Sequence, residues 1–288
     1  MIYTPLNSEK SLHDFVSNND SSRGAFLYSV LLLECSADSD DDCDESFVPP
    51  LSCRYYDTDS LCETLKSNPT SHTLFHLNIA SLPRHADDLN ALLRNLDGHQ
   101  FSVIGITETK ISSPIIPQSL SIPGYHYLHT PSKSCKGGAA LFISNKLNFF
   151  ARNDLNTICY ADNELESCFA ELPSLVKSDP GLIVGSIYKH PSMESKKFLK
   201  QIKSLLHKIS IENKRLILLG DFNINLLNAS SDSDVTKFID ILSCYSVLPT
   251  INIPTRLTST SKTLIDNIFC NYSDPNFVSG NICNHLHF

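Results

Sequence analysis

The stretch Arg215-Leu-Ile-Leu-Leu-Gly-Asp-Phe-Asn-Ile-Asn225 climbs through four branched apolar residues and stops on a glycine, a carboxylate and an amide. An apolar run of this length without polar alternation is the pattern of a strand buried on both faces. Asp and Asn after a strand commonly make a turn, because their short side chains bond nearby backbone. That reading explains one strand, but the same grammar recurs. HTLFHLNIASL (His72 to Leu82) places Asn78 at the end of an apolar run, and FSVIGITETK carries Val103, Ile104 and Ile106 into Thr107-Glu108. GLIVGSIYKHP carries Leu182, Ile183, Val184 and Ile187 into Tyr188, and TLIDNIF sets Asp266 within apolar neighbours. Five strands that end in polar residues call for more than a turn.

Helical patterns lie between them. Leu89, Leu92, Leu93 and Leu96 repeat in ADDLNALLRNL, and Phe198, Ile202, Leu205, Leu206 and Ile209 share one face of SKKFLKQIKSLLHKI. SDVTKFIDILSCY aligns Val235, Phe238, Ile239 and Leu242. Strands and helices therefore mix across one continuous α/β domain.

With 41% hydrophobic and 19% charged residues, the 288-residue chain has the composition of a soluble globular protein. The net charge of −8 looks hostile to nucleic acid until it is divided along the chain. Residues 1–70 carry 4 Lys/Arg against 13 Asp/Glu, a balance of −9; the remainder carries 19 against 18, a balance of +1. The run CSADSDDDCDES (Cys35 to Ser46) is too charged to bury surface against its ordering entropy. Residues 1–70 are therefore expected to be an acidic, largely disordered segment, and residues 71–288 the folded domain. Within the first segment, AFLYSVLLL (Ala25 to Leu33) is too short to span a bilayer, and its faint likeness to a signal-peptide core yields to a local helix or strand. The ten cysteines show no CxxC pair and no His partner at zinc-ligand spacing, which points to reduced thiols and an intracellular protein, nuclear or cytoplasmic, with no membrane partner. The eight Lys/Arg between Lys189 and Arg215 read as a solvated helix face, and Gly137-Gly138 as a turn leading into a strand.

Asn78, Glu108, Asp221, Asn223 and Asp266 are expected at one end of the sheets. Clustered carboxylates and amides repel unless a cation sits among them, and an all-oxygen set suits Mg²⁺ or Mn²⁺. Such an ion keeps waters and leaves room for a phosphate oxygen, so metal-assisted phosphodiester hydrolysis follows.

The order LNI (Leu77 to Ile79), TETK (Thr107 to Lys110), GSIYKHP (Gly185 to Pro191), GDFN (Gly220 to Asn223), PTR (Pro254 to Arg256) and LIDNIF (Leu264 to Phe269) resembles the endonuclease/exonuclease/phosphatase superfamily. The likeness is to the endonuclease domain of LINE-type non-LTR retrotransposons, whose polyprotein continues into a reverse transcriptase. It implies a four-layered α/β sandwich, two mixed sheets face to face with helices outside, that uses Mg²⁺ to nick DNA. By that resemblance Glu108 is the principal metal ligand, supported by Asn78, which also reaches the substrate. Asp221 orients or deprotonates the attacking water, and Asn223 fixes it or the scissile phosphate. Tyr188 bonds a phosphate oxygen, Thr255 touches the phosphodiester backbone, and Asp266 orients a catalytic histidine, for which His285 is the counterpart. The chain departs from the family in its last residues, where Cys283-Asn284-His285 stands for Ser-Asp-His. The resemblance then implies an incomplete last strand, an unpaired sheet edge and impaired nicking. Two readings stand beside this one: another phosphodiesterase of the superfamily (abasic-site endonuclease, exonuclease or phosphatase) and a degenerate, inactive copy.

Overall fold

The computed structural model describes residues 25–33 except 27, residues 53–67, and residues 72–282 except 97, 116–119, 134–135, 174–179, 259 and 273–276. The strands are β1 (Ala25–Phe26), β2 (Tyr28–Leu33), β3 (Cys53–Tyr56), β4 (His72–Asn78), β5 (Val103–Thr107), β6 (Tyr125–Thr130), β7 (Ala139–Ser144) and β8 (Phe150–Ala151). They continue with β9 (Leu165–Leu172), β10 (Leu182–Lys189), β11 (Arg215–Asp221), β12 (Leu248–Pro249), β13 (Arg256–Leu257), β14 (Lys262–Thr263), β15 (Asp266–Cys270) and β16 (Val278–Ile282). The helices are α1 (Thr58–Ser67), α2 (Leu82–Asn95), α3 (Asn153–Ile158), α4 (Ser195–Ile211) and α5 (Ser233–Ser243).

Two mixed sheets carry the fold, one of seven strands in the order β3-β16-β2-β4-β5-β7-β6 and one of six in the order β12-β15-β11-β10-β9-β8. Because side chains alternate along a strand, each strand feeds two cores. Leu74, Val103 and Leu141 of the first sheet meet Val184, Ile217, Leu219 and Ile268 of the second between the sheets. The alternate residues Phe75, Leu77, Ile104 and Ile106 pack outward against Leu61, Leu89 and Leu92 of α1 and α2. On the far side Ile183, Ile187, Leu216 and Leu218 pack against Phe198, Leu205 and Phe238 of α4 and α5. The result is a four-layered helix–sheet–sheet–helix sandwich. The sheets approach closely at Gly105, where a Cβ would lie 3.0 Å from Leu219 Cδ1, and Ser186 Oγ donates across the gap to the Ile106 carbonyl at 3.0 Å.

The basic residues of α4 lie on its solvated face, and Lys197 and Lys208 pair with Glu164 and Glu212. The six cysteines among the described residues are free. No described helix is long and apolar enough to cross a membrane.

The N-terminal residues differ from expectation. β2 lies inside the seven-stranded sheet, antiparallel to both β4 and β16, with Val30 and Leu31 fully buried. β3 extends the same sheet, α1 packs on its outer face, and β1 pairs with β13. The local strand expected within Ala25 to Leu33 forms, and burial of that apolar run outweighs the acidity around it. Cys35 to Ser46 lies outside the described residues. β16 is flanked by β2 and β3, and the residues after it, where the incomplete last strand was expected, lie outside the described residues.

A chain beginning at residue 71 lacks β1, β2, β3 and α1, and opens the sheet beside β4. It should lose its cooperative thermal transition and its near-ultraviolet circular dichroism. A sharp, reversible transition in that shortened chain would show that β2 is dispensable.

Candidate active site

The alternation that builds the inter-sheet core also places the site. Following the buried inter-sheet face along each strand, Leu74 and His76 lead to Asn78, Val184 and Ser186 to Tyr188, and Ile217 and Leu219 to Asp221. Read backwards, Cys270 and Ile268 lead to Asp266, and Ala170 and Cys168 to Glu166. Strand register lines these ends up: Asp266 stands opposite Asp221, Asp221 opposite Tyr188, and Tyr188 opposite Glu166. Four polar side chains thus form a row across one sheet, with Asn78 facing them from the other.

Glu108 joins by a different device. It follows Thr107, whose side chain continues the inter-sheet face of β5, so simple alternation would aim Glu108 toward the helices. Its backbone instead takes a left-handed φ of 54°, a costly conformation for a residue with a Cβ. Asn78 Nδ2 donates to Glu108 Oε1 at 2.9 Å and to Asp221 Oδ2 at 2.8 Å. The amide orientation is fixed because Asn78 Oδ1 accepts from the Ala80 N–H at 3.1 Å. One NH₂ group therefore links carboxylates from opposite sheets.

Asp221 Oδ1 accepts from the Asn223 N–H at 3.0 Å, so the turn reading of GDFN is also correct. Asn223, at φ 47°, passes its own amide N–H to the Lys189 carbonyl at 2.7 Å and ties the ends of β10 and β11 together. Burial pushes the Asp221 carboxyl up to about 7, the charge of Glu108 adds to the rise, and the donors Asn223 and Asn78 oppose it. Asp266 is raised well above the usual carboxylate range by burial and then by Asp221. Its Oδ2 accepts from Thr255 Oγ1 at 3.1 Å, and its buried Oδ1 has no partner among the described residues. Thr255 is 1% exposed, and its oxygen also accepts the Ile265 and Asp266 N–H groups, so this hydroxyl is engaged with Asp266 and the backbone around it. Burial, helped by Glu108, Asp221 and Glu166, raises the Tyr188 hydroxyl and keeps it a donor. His285 and Asn284 lie outside the described residues.

The donors fit a hard divalent cation. Among the described residues there is no group of three or more His, Cys, Asp or Glu placed to hold a metal ion; Mg²⁺ takes one or two carboxylates and keeps its waters. Glu108 would hold it, since its carboxylate is 22% exposed, and an ion there would displace Lys110 Nζ, which lies 3.5 Å from Oε2. Asn78 supports Glu108 through its amide hydrogens, and turning its oxygen toward an ion would forfeit the Ala80 bond. Glu166 was missed by the sequence reading; the signal that could have found it is the inter-sheet alternation of LESCFAEL, which Ser167 and Cys168 blur.

The profile of the Endonuclease/Exonuclease/phosphatase family matches residues 75–280. No curated protein sequence matches. Among solved structures, the chain is similar to the AP endonuclease LMAP from Leishmania major, with TM-score 0.52, 11% identity, and 68% of this chain and 78% of that chain covered. It is similar also to the APE2 catalytic domain of Xenopus laevis, with TM-score 0.50, 15% identity, and coverage of 69% and 82%. The endonuclease domain of TRAS1, a telomere-specific non-LTR retrotransposon, matches with TM-score 0.49, 15% identity, and coverage of 68% and 84%. At these identities the likeness to LMAP and to the APE2 domain establishes the fold alone.

The raised Asp221 carboxyl has a sign-definite consequence for stability. As pH rises from about 4 to about 7 the unfolded chain ionises Asp221 while the folded chain still holds the proton. Folding stability therefore falls through that window and stays low above it. Asp221→Asn mimics the protonated carboxyl, so without divalent cation it should melt with the parent near pH 4 and several degrees above it at pH 8, at roughly 2–4 °C per kcal/mol. Equal melting temperatures at pH 8 would contradict the assignment.

Proposed function

The chain belongs to the endonuclease/exonuclease/phosphatase family, and we propose that it is a Mg²⁺-dependent DNA endonuclease of the non-LTR retrotransposon type that nicks one strand. Hydrolysis of a phosphate ester is the chemistry of the family. The observation that carries the finer reading is Asp221, a buried carboxyl near neutrality held by two N–H donors and flanked by Tyr188 and Asp266. A general base works best with a pKa near the working pH. The forms LNI, TETK and YKHP favour the retrotransposon type, and a reverse transcriptase domain in the parent polyprotein is part of the same proposal.

Each side chain has one task. Asp221 takes a proton from the attacking water, and Asn223 keeps the β10 and β11 ends together so that the base stays aimed. Tyr188, its hydroxyl held protonated, donates to a non-bridging phosphate oxygen. Asp266, whose Oδ1 has no partner among the described residues, has the role of orienting a catalytic histidine, for which His285 is the candidate, and Thr255 fixes the other oxygen. Bound at Glu108, Mg²⁺ would supply positive charge to the phosphate as negative charge develops on it.

Nicking of supercoiled plasmid in Mg²⁺, set beside an abasic-site duplex and a phosphoinositide, tests the proposal. Plasmid nicking should lead, vanish in excess EDTA, and fall by about 10²-fold or more in Asp221→Ala, the scale of a lost general base. Faster cleavage of the abasic duplex or the phosphoinositide would assign another member of the family. Nicking that survives EDTA would remove the cation from the account.

A further inference from the structure

Glu166 has no task in the chemistry above, yet it is 2% exposed at the end of the polar row. Its Oε1 accepts from Ser132 Oγ at 3.0 Å. Its Oε2 is buried with no partner among the described residues. Ser132 Oγ in turn accepts from the Gly137 N–H at 3.3 Å. Gly137 is where these parts meet: a Cβ there would fall 2.4 Å from Glu166 Oε2 and 2.9 Å from the Tyr188 ring. The glycine pair read from the sequence as a turn is thus a narrow strap between Glu166 and Tyr188 on one side and the residues after Glu108 on the other.

The strap's carbonyls complete the connection. Gly137 O accepts from the Lys110 N–H at 2.8 Å, Gly138 O from the Thr109 N–H at 3.4 Å, and Ile111 O from the Ser132 N–H at 2.8 Å. Lys110 has a left-handed φ of 55°, as Glu108 has one of 54°. A backbone held twice in that region within three residues needs outside bonds to keep it there. Those bonds come from the strap, and the strap is fastened at its other end to Glu166.

We propose that Glu166 is a positioning residue: through Ser132 and the Gly137-Gly138 backbone it holds the left-handed turn that presents Glu108 to a divalent cation, while its second oxygen lies beside the Tyr188 ring. The inference rests on the reading of Glu108 as the cation's holder. Side chains that orient a ligand from behind set metal affinity as well as activity, with losses of about 10- to 100-fold when they are removed. A residue that only filled space would change melting temperature and leave cation affinity alone.

The test is Mn²⁺ titration of the full chain without DNA, followed by electron paramagnetic resonance, with melting curves recorded on every variant. Glu166→Ala should weaken Mn²⁺ binding by about 10-fold or more. Glu166→Gln keeps an oxygen for Ser132 and should stay close to the parent. Ser132→Ala, which cuts the link and leaves Glu166 in place, should weaken binding as well, and it decides the matter if Glu166→Ala does not fold. In nicking assays the Glu166→Ala defect should recover as Mg²⁺ is raised, with the KM for DNA unchanged. If the unaltered chain binds Mn²⁺ through Glu108, and Glu166→Ala and Ser132→Ala bind it equally well, the inference is overturned alone. If the unaltered chain binds no Mn²⁺, the proposed function falls and takes this inference with it.

Discussion

The site depends on one amide group, the Asn78 NH₂ that donates to Glu108 and Asp221 across the gap between two sheets. Without it, two carboxylates would face each other in a region where Asp221 is 3% exposed. An uncompensated buried charge costs several kcal/mol. The amide can serve both acids only if the sheets are in fixed relation, and that relation is set elsewhere. Gly105 lets Leu219 approach, Ser186 bonds the Ile106 carbonyl, and branched residues of both sheets fill the space between. A slip of one residue in β4 or β11 would turn Asn78 or Asp221 toward the helices and abolish the bridge. The core is therefore what makes the polar end possible.

That polar end holds tension of two kinds. Glu108 and Lys110 sit in left-handed backbone conformations, and Asp221 is lifted by burial and by the charge of Glu108, Asp266 by burial and by the charge of Asp221. Neither feature stabilises the fold by itself. Both are what a site needs if it is to meet a cation and a phosphate without rearranging, because donors and acceptors already held in place do not have to be ordered during the reaction. Glu166, Ser132 and the glycine strap extend the same logic one layer outward.

Much of this was legible in the sequence. GDFN, LNI and LIDNIF each end or begin an apolar run with the residue that the inter-sheet face delivers to the site, and period-two alternation is enough to find them. The mixed α/β class follows from the same runs and from the leucine-spaced helices, and the sandwich was implied by the family resemblance. What could not be read has physical causes. Glu108 was expected in the cluster, but the left-handed turn that takes it there was not, because no local pattern in TETK announces it. Glu166 begins a strand whose Ser167 and Cys168 weaken the contrast between faces. Thr255 looks like an outward hydroxyl in PTR, yet long-range pairing of its loop against Asp266 buries it. The run that makes β2 was visible, but its place inside the sheet was not, because its partners β4 and β16 lie far from it along the chain.

The central claim is that the carboxylate cluster is a cation site strained by its own charge. Thermal unfolding of the DNA-free chain at pH 8, with and without millimolar Mg²⁺, tests it most directly. A ligand at 100 times its dissociation constant stabilises the native state by about 2.7 kcal/mol, so Mg²⁺ should raise the melting temperature of the unaltered chain by roughly 5 °C or more. Glu108→Gln, which removes the holder, should show no rise. An equal rise in both chains, or none in either, would contradict the account.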